Sequence, residues 1–527
     1  MSKFHSVVNR REFMKGLGLT GASLSAIGAT SPLFHDLDEV MSSDTARTKQ
    51  PWWVKEVDKP TVEIDFKLTE RYDQISRLIY YNQPKYVDPA EIADLTKQGQ
   101  DNFKKHMAAG DPGQDIKGLA LCEGGVFGWS SSHGDFPEYF LGDPFAKTPE
   151  EWGISKWQGT PEENSRVITA AAKLFGACIT GFAQIQNEDF KKYFFIRGRD
   201  FEGPVIDDPS DARLGKSRPG NMLVSSGGGF SLVPAQYSFG TSASPIRELV
   251  FEDVDKPYST DSKKVIPNSF KSVIVMAVPQ DPYLTRLGPS AVPGDGRITG
   301  FAATGQSYGF LSIVQRRFQK FMKTLGYSCL GGGTGGLAPV TSWGVWSGLG
   351  EMNRMNPMLI PEWGTMIRST IIFVSDIPIV PTKPIDAGMF RFCHTCRKCA
   401  EACPYQAISL ENEPTWEAHN AANCSGAKKF FLKAENCMKH RLVMGKDWLG
   451  CDNCMSSCPF GEGSTSFIHA FVKSTLATTP VFDSFFYNMS KSFGYGHFAD
   501  PEEWWHGDHA VGGPINTVGT RWHDSWT

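Results

Sequence analysis

Beyond its N-terminal region the chain of 527 residues has no run of 18 unbroken apolar residues, so no membrane-spanning helix is expected in the mature protein. The most apolar stretches, Val273–Val278 and Ile371–Val374, are of strand length. An excess of basic charge is also missing. Lys and Arg total 53 against 57 Asp and Glu, a formal charge of -4, which gives no compositional support for a nucleic-acid-binding surface. Cysteine is scarce, with 12 residues, too few for a disulfide scaffold. C-x-x-C-H is absent, which excludes covalently attached haem c. What remains describes a large folded protein. Apolar residues make up 40% and charged residues 21% of the chain, a composition that folds. The length predicts about two to four domains. Aromatics at 12%, with 36 Phe and 14 Trp, bias the chain toward large hydrophobic cavities or interfaces.

Residues 1–35 read as an export signal. Lys3, Arg10, Arg11 and Lys15 precede the mildly apolar stretch Gly16–Ala29, and Pro32 follows. Basic region, then apolar region, is the plan of such signals. The segment from Asn9 to Lys15 carries a twin arginine with Phe13 two residues beyond it. It looks like a signal of the twin-arginine pathway, which moves folded, cofactor-loaded proteins.

Residues 36–160 are polar and mixed, with recurring Pro and Gly breaks and weak periodicity, and are expected to be irregular. Residues 161–385 carry the best α/β pattern. Val167, Ile168, Ala171, Leu174 and Phe175 recur at helical spacing, with Gly176 as a C-cap and a short strand in Ala177–Phe182. Val273–Val278 and Arg368–Ser375 are strand candidates, the first closed by Pro279. The clearest helix is Gly309–Leu325: Leu311, Val314, Phe318 and Met322 lie on one face, Arg316, Arg317, Lys320 and Lys323 mainly on the other, and Gly326 stops it. A strand around Tyr327–Leu330 leads into a glycine-rich run at 331–336. Gly331, Gly333 and Gly336 satisfy G-x-G-x-x-G, but the following segment contains Pro339, lacks a strong helix start and has no ribose-binding acid in a βαβ context. A nucleotide site is therefore rejected in favour of a tight turn or close backbone approach to another large cofactor. Alternating helices and strands predict a layered α/β domain.

The chemistry is concentrated in two cysteine runs. The first is Cys393-x2-Cys396-x2-Cys399-x3-Cys403-Pro404, and the second is Cys437-x13-Cys451-x2-Cys454-x3-Cys458-Pro459. Thiolates are soft ligands suited to iron. Three closely spaced cysteines wrap one cubane, while the fourth, followed by Pro, serves the other cluster. The spacing therefore assigns Cys393, Cys396, Cys399 and Cys458 to one [4Fe-4S] cluster, and Cys437, Cys451, Cys454 and Cys403 to a second. The long gap before Cys451 departs from the compact bacterial motif. Zinc is the alternative, but zinc motifs rarely use this spacing twice. Cys424 is left over as a free buried thiol. Cys122, Cys178 and Cys329 are isolated in apolar surroundings and read as inert core residues. His394 and His440 read as solvent-facing or hydrogen-bonded groups rather than ligands.

The twin-arginine segment, Pro161–Ala177, the run from Ser375 to Pro404, the Cys437–Pro459 set and the segment Val472–Phe486 together resemble respiratory reductive dehalogenases along nearly the whole chain. The resemblance implies an α/β fold in which a nitroreductase-like corrinoid-binding domain, 161–385, is followed by a ferredoxin-like double [4Fe-4S] domain, 386–470. The remaining divisions are the signal region 1–35, the N-terminal region 36–160, and an aromatic tail, 471–527, packed on the catalytic domain. It implies a base-off, cobalamin-like corrinoid, in agreement with the absence of D-x-H-x-x-G, and Gly331, Gly332, Gly333 and Thr334 are its candidate contacts. Some members have an asparagine where this chain has Gly333-Thr334-Gly335. The family's catalytic tyrosine matches Tyr308, read as the start of the amphipathic helix, and its basic partner matches Arg368. A phenol delivers the proton that replaces halide, and a guanidinium, helped by a helix N-terminus, stabilises the phenolate left behind.

The activity expected from the resemblance replaces halogen by hydrogen on a small organohalide, a chlorinated ethene, ethane or aromatic, during anaerobic respiration. The implied partners are an upstream electron donor and a small hydrophobic membrane-anchor protein. They hold the exported enzyme at the outer face of the cytoplasmic membrane, where the family allows a homodimer or larger respiratory complex. Two other readings compete. An epoxyqueuosine reductase-like corrinoid enzyme shares the cofactor logic, but the twin-arginine segment and acidic balance argue against a tRNA substrate. An exported iron–sulfur electron-transfer subunit would not need the long segment before the cysteines.

Overall fold

The computed structural model describes residues 50–79, 82–125, 139–144, 146–198, 221–226, 229–234, 247–290, 297–332, 335–445, 451–462, 467–492, 494, 496 and 498–506. The signal region 1–35, Trp129, Gly333, Thr334, Phe493 and Tyr495 lie outside the described residues. So do the unit Met1–Thr45 and its boundary with the second unit, Ala46–Thr527, to which everything below belongs.

A four-stranded sheet forms the centre. Its strands are β1 (Ile179–Gln184), β2 (Ser272–Pro279), β3 (Cys329–Leu330) and β4 (Ile367–Ser375), in the order β1-β2-β4-β3. All three pairings are antiparallel. β2 is an unbroken apolar run because both of its faces are covered. Val273, Val275 and Ala277 join one core with Phe194 and Trp343, while Ile274, Met276 and Val278 join another with Phe318 and Phe373. Period-two alternation thus feeds two cores rather than one core and solvent.

Ten helices are used below: α1 (Pro89–Ala109), α2 (Ile116–Gly125), α3 (Pro161–Phe175), α4 (Pro282–Leu287), α5 (Thr299–Leu325), α6 (Val340–Trp346), α7 (Met389–Thr395), α8 (Ala434–Val443), α9 (Phe467–Thr478) and α10 (Asp483–Ser492). Helices α3 and α5 cover one face of the sheet through Ile168, Ala172, Leu311, Val314, Phe318 and Met322. Helix α6 covers the other through Trp343. The start of α3 is fixed by a capping box between Thr160 and Glu163, and Gly176 ends it in the left-handed region. Such a cap contributes about 1 kcal/mol.

Three expectations change. The stretch 36–160 contains α1 and α2 rather than irregular chain alone. Helix α1 has a good N-cap in Asp88 and an αL stop at Gly110, but only Gly99 is fully buried, so its apolar periodicity is faint. A Cβ on Gly99 would lie 2.1 Å from the Leu442 carbonyl oxygen, and this close approach seats α1 on α8. Second, α5 starts at Thr299, before the amphipathic pattern, because Gly300, Ala302, Ala303, Thr304, Gly305 and Ser307 are small and buried. Third, a short helix, α6, does follow the glycine run, with Pro339 at its N-cap.

The C-terminal segments make contacts on two sides. Arg391 of α7 donates to the Leu476 carbonyl of α9 at 2.6 Å, and Lys398 to the Ser490 carbonyl of α10 at 3.3 Å. Further on, Tyr283 of α4 donates to Glu503 at 2.7 Å. No helix among the described residues is long and apolar enough to cross a membrane.

Candidate functional site

Tyr308 and Arg368 are brought together by two elements of the central layers. Tyr308 lies well inside α5, more than two turns from its N-terminus, so the helix-terminus contribution expected at this position is absent; that field fades beyond the first turn. The ring is half-buried and packs with Cys122 and Phe301. Arg368 stands near the beginning of β4, where the register against β2 shifts between Arg368 and Thr370. Such an irregularity re-aims a side chain. The Arg368 guanidinium carbon lies 5.8 Å from the centroid of the Tyr308 ring.

Three neighbours fix the guanidinium. Its Nε donates to Gln280 Oε1 at 2.7 Å, and Nη2 donates to Thr304 Oγ1 at 2.9 Å and Asp452 Oδ1 at 2.8 Å. Thr304 in turn donates to Asp452 Oδ2 at 3.3 Å. Burial pushes the Asp452 carboxyl up, while Arg368, Arg441 and Thr304 pull it back. Asp452 adopts φ 40°, a left-handed conformation that costs a non-glycine residue. It lies between Cys451 and Cys454 in sequence. The guanidinium beside the proton-donor candidate and the second cysteine run therefore share one buried polar network.

The cysteines fall into two groups by the charges they feel. Burial, and after it neighbouring thiols, pushes up Cys393, Cys399 and Cys458. Cys393, pushed up to about 12, feels Cys396; Cys399 feels Cys396, Cys393 and Cys458; and Cys458 feels Cys393 and Cys396. In the second group Cys403 feels Cys437, Cys451 feels Cys454 and Cys437, and Cys454, pushed up to about 12 chiefly by burial, feels Cys437 and Cys403. Weaker influences cross between the groups, as from Cys454 onto Cys399 and Cys458. Among the described residues no three His, Cys, Asp or Glu side chains converge as ligands of a single ion.

Backbone and side-chain bonds hold these segments. Asn453 Nδ2 donates to the carbonyls of Ser290 at 2.7 Å and Ala402 at 3.1 Å, tying the second run to the residue before Cys403. Glu351 accepts from Thr61 Oγ1 at 2.7 Å and from the amides of Ala387 at 3.0 Å and Met389 at 2.9 Å, at the start of α7, which carries Cys393. Burial pushes the Glu351 carboxyl up to about 7. Gly388, the N-cap of α7, has φ 69°, and a Cβ there would lie 2.2 Å from the Leu476 carbonyl oxygen, so glycine is required.

The other candidates are more scattered. At Gly331 the space for a Cβ is taken by Gln319 Nε2 at 2.7 Å, and Gly332 and Gly336 approach backbone to backbone. Cys424 is half-buried and lines a small cavity of about 60 Å³ with Tyr72, Tyr193, Trp346 and Lys429; neither Tyr308 nor Arg368 lines it. His394 lies 3.5 Å from Glu413. His440 is buried at 4% exposure, rather than solvent-facing, and burial lowers its pKa to about 4. Sequence reasoning missed Gln280, Thr304, Asp452, Glu351 and Arg354. Of these only Asp452 had a local signal, its place beside Cys451.

Two family profiles match the chain. One, a reductive dehalogenase subunit, covers residues 49–200, and the other, a 4Fe-4S double cluster binding domain, covers residues 392–461. A chloroethene reductive dehalogenase of Dehalococcoides mccartyi strain VS is 32% identical over 96% of this chain and 98% of its own length. A trichloroethene reductive dehalogenase of Dehalococcoides mccartyi strain 195 is 29% identical over 97% of this chain and 98% of its own length. Among solved structures, a catabolic reductive dehalogenase in complex with 3-bromo-4-hydroxybenzoic acid superposes with a TM-score of 0.51 at 18% identity, covering 84% of this chain. The match covers 49% of that chain, about half its length, and shows a shared mixed α/β fold. With a 4Fe-4S-binding domain behind an α/β domain and near full-length similarity to the Dehalococcoides mccartyi enzymes, the chain belongs to the reductive dehalogenase family, oxidoreductases that act on carbon–halogen bonds.

Proposed function

We propose that this enzyme replaces chlorine by hydrogen on chlorinated ethenes, with Tyr308 as the proton donor. The reaction consumes two electrons and one proton per halide released. The observation that carries the reading is the placement of Arg368: 5.8 Å from the Tyr308 ring centroid and 2.8 Å from Asp452, between Cys451 and Cys454 in sequence. The substrate class follows from the full-length relatives, whose names specify chloroethene and trichloroethene. Chlorinated ethanes and aromatics belong in the same test, because an apolar pocket discriminates weakly among similar shapes.

Cys393, Cys396, Cys399 and Cys458 would hold one [4Fe-4S] cluster, and Cys403, Cys437, Cys451 and Cys454 the other. The two thiol groups described above support this ligand set. A thiol pushed upward by burial is a poor anion alone, and cluster iron supplies the charge that keeps it a thiolate. For a corrinoid, support comes from Gln315 on the Tyr308 helix. Among the described residues its Oε1 is buried without a hydrogen-bond partner, and its Nε2 lies 3.0 Å from the space a Cβ would take at Gly331. The periphery of a corrin ring carries amide donors suited to such an oxygen. When bound, a reduced corrinoid supplies the low-potential metal that cleaves the carbon–halogen bond.

The chain's own contribution is orientation and the proton. Tyr308 Oη transfers a proton to the carbon that loses halide, and the fixed Arg368 guanidinium stabilises the phenolate. Gln280, Thr304 and Asp452 hold that guanidinium in one orientation. Export by the twin-arginine pathway, peripheral attachment through a small hydrophobic partner, and the division at residues 160, 385 and 470 complete the reading. Anaerobic purification with iron and cobalt analysis, followed by a halocarbon panel with reduced viologen, tests it. Chloride release with matching dechlorinated product is expected. Iron without cobalt and without turnover would favour an electron carrier instead.

A further inference from the structure

Arg354 is a buried charge that the Tyr308–Arg368 network does not use. It is 1% exposed. Its guanidinium is committed to the backbone of the first cysteine run and of the segment that follows. Nε donates to the carbonyls of Cys393 and Cys396, both at 3.1 Å, and Nη2 donates to the Cys393 carbonyl and, at 3.4 Å, to that of His394. Nη1 donates to the carbonyls of Ser409 at 2.7 Å and Glu411 at 2.5 Å. Phe430 covers the guanidinium, with its ring centroid 3.9 Å away. Every one of these hydrogen bonds ends on a neutral carbonyl. The nearby buried acid, Glu351, accepts from Thr61, Ala387 and Met389 instead.

A buried guanidinium without a carboxylate carries a large desolvation cost. Its carbonyl partners belong to Cys393 and Cys396, in the same run as Cys399. Bound to a cluster, these three and Cys458 would be thiolates, and the assembly would be anionic. Reduction adds one more negative charge at the same place. A fixed cation in a low-dielectric setting stabilises the reduced form more than the oxidised form.

Resting on the cluster assignment above, we propose that Arg354 is the counter-ion of the iron–sulfur cluster on Cys393, Cys396, Cys399 and Cys458. Its charge raises the reduction potential of that cluster. Arg354 is a positioning residue in the same role, because its fork holds the Cys393–Cys396 turn in place.

The test uses anaerobically purified holoenzyme with the variants Arg354→Gln and Arg354→Lys. Iron per protein and EPR-monitored redox titration are measured before any turnover. In Arg354→Gln one of the two cluster signals should move to lower potential, by a tenfold or greater change in its reduced-to-oxidised ratio at fixed poise. For a one-electron couple that is about 59 mV. The other signal should stay in place, and Arg354→Lys should remain close to the unsubstituted enzyme. An unmoved potential in Arg354→Gln overturns the proposal, and so do equal shifts in both variants, which would mark packing rather than charge. If Arg354→Gln loses the cluster, Arg354→Lys decides. A retained cluster near its original potential supports the charge, and a lost or equally displaced cluster refutes it. Absence of [4Fe-4S] signals from the unsubstituted enzyme would instead sink the ligand assignment itself.

Discussion

Arg368 and Asp452 form a 2.8 Å ion pair between the central sheet and the segment that carries Cys451 and Cys454. Their side chains are 19% and 4% exposed, so the pair is only weakly screened. Gln280 and Thr304 take further donors of the same guanidinium. Its orientation beside Tyr308 is thus set by a residue next to a cysteine of the second run.

Asp452→Asn should therefore impair both chemistry and stability. Removing one partner of a buried pair commonly costs about 3–5 kcal/mol. Asparagine keeps an acceptor for Thr304, so a loss near the lower end is expected. Thermal unfolding of the holoenzyme and turnover per cobalt measure the two effects. Unchanged turnover with full cofactor loading would separate Asp452 from the proton-delivery site.

Tyr308→Phe should retain the corrinoid and both clusters while turnover falls by about 10²–10⁴-fold, the usual contribution of a general acid. The packing with Cys122 and Phe301 survives, so little stability is at stake. Arg368→Lys keeps the charge but cannot serve Gln280, Thr304 and Asp452 together, and a smaller defect is expected. Anaerobic dehalogenation per cobalt at several pH values checks both. Wild-type turnover by Tyr308→Phe across that range would exclude the phenol as the essential acid.

Cys399→Ala should lose one cluster, whereas Cys424→Ala should keep both. Cys399 is a member of the first thiol group, while Cys424 lines a cavity with Lys429. Iron content and low-temperature EPR distinguish the two variants. Loss of a cluster from Cys424→Ala would redraw the ligand map.

One pH effect follows from Asp73. Burial works against its carboxylate, but hydrogen bonds from Arg197 and Ser76 and the Arg197 charge outweigh it and hold the pKa below the ordinary 3.8. Arg197 Nε donates to both carboxylate oxygens, at 3.2 and 3.1 Å. A depressed acid pKa stabilises the fold above the unfolded value, and that contribution is lost as pH falls through the folded value. Asp73→Asn should flatten the acid limb of a stability–pH curve near and below pH 3.8 and leave its slope near neutrality unchanged. Chemical denaturation at a series of pH values measures it, and an unaltered acid limb would remove Asp73 from the account.

Local order was legible where short-range chemistry determines it. Thr160, Glu163 and Gly176 announce both ends of α3, and the apolar run at Val273–Val278 announces β2. Cysteine spacing announced iron–sulfur ligation, because the ligand set is written in the chain itself. Helix α1 was hidden because it shows solvent most of its surface. The first turns of α5 were hidden because their burial depends on small size rather than on an apolar stripe. The contacts of Arg354 and Asp452 were not legible, since their partners lie far away in sequence: Ser409 and Glu411 for one, Thr304 and Arg368 for the other.

The crossed grouping of the thiols has a consequence for biosynthesis. Cys458 from the second run stands with Cys393, Cys396 and Cys399, and Cys403 from the first stands with Cys437 and Cys454. Each group borrows one member from the other segment, so the second is incomplete until residue 454, and the first until residue 458, has left the ribosome and folded back. A truncation or frameshift between residues 437 and 454 strips both groups together. Both thiol groups thus depend on both segments, whose members come together only after the second segment has been made.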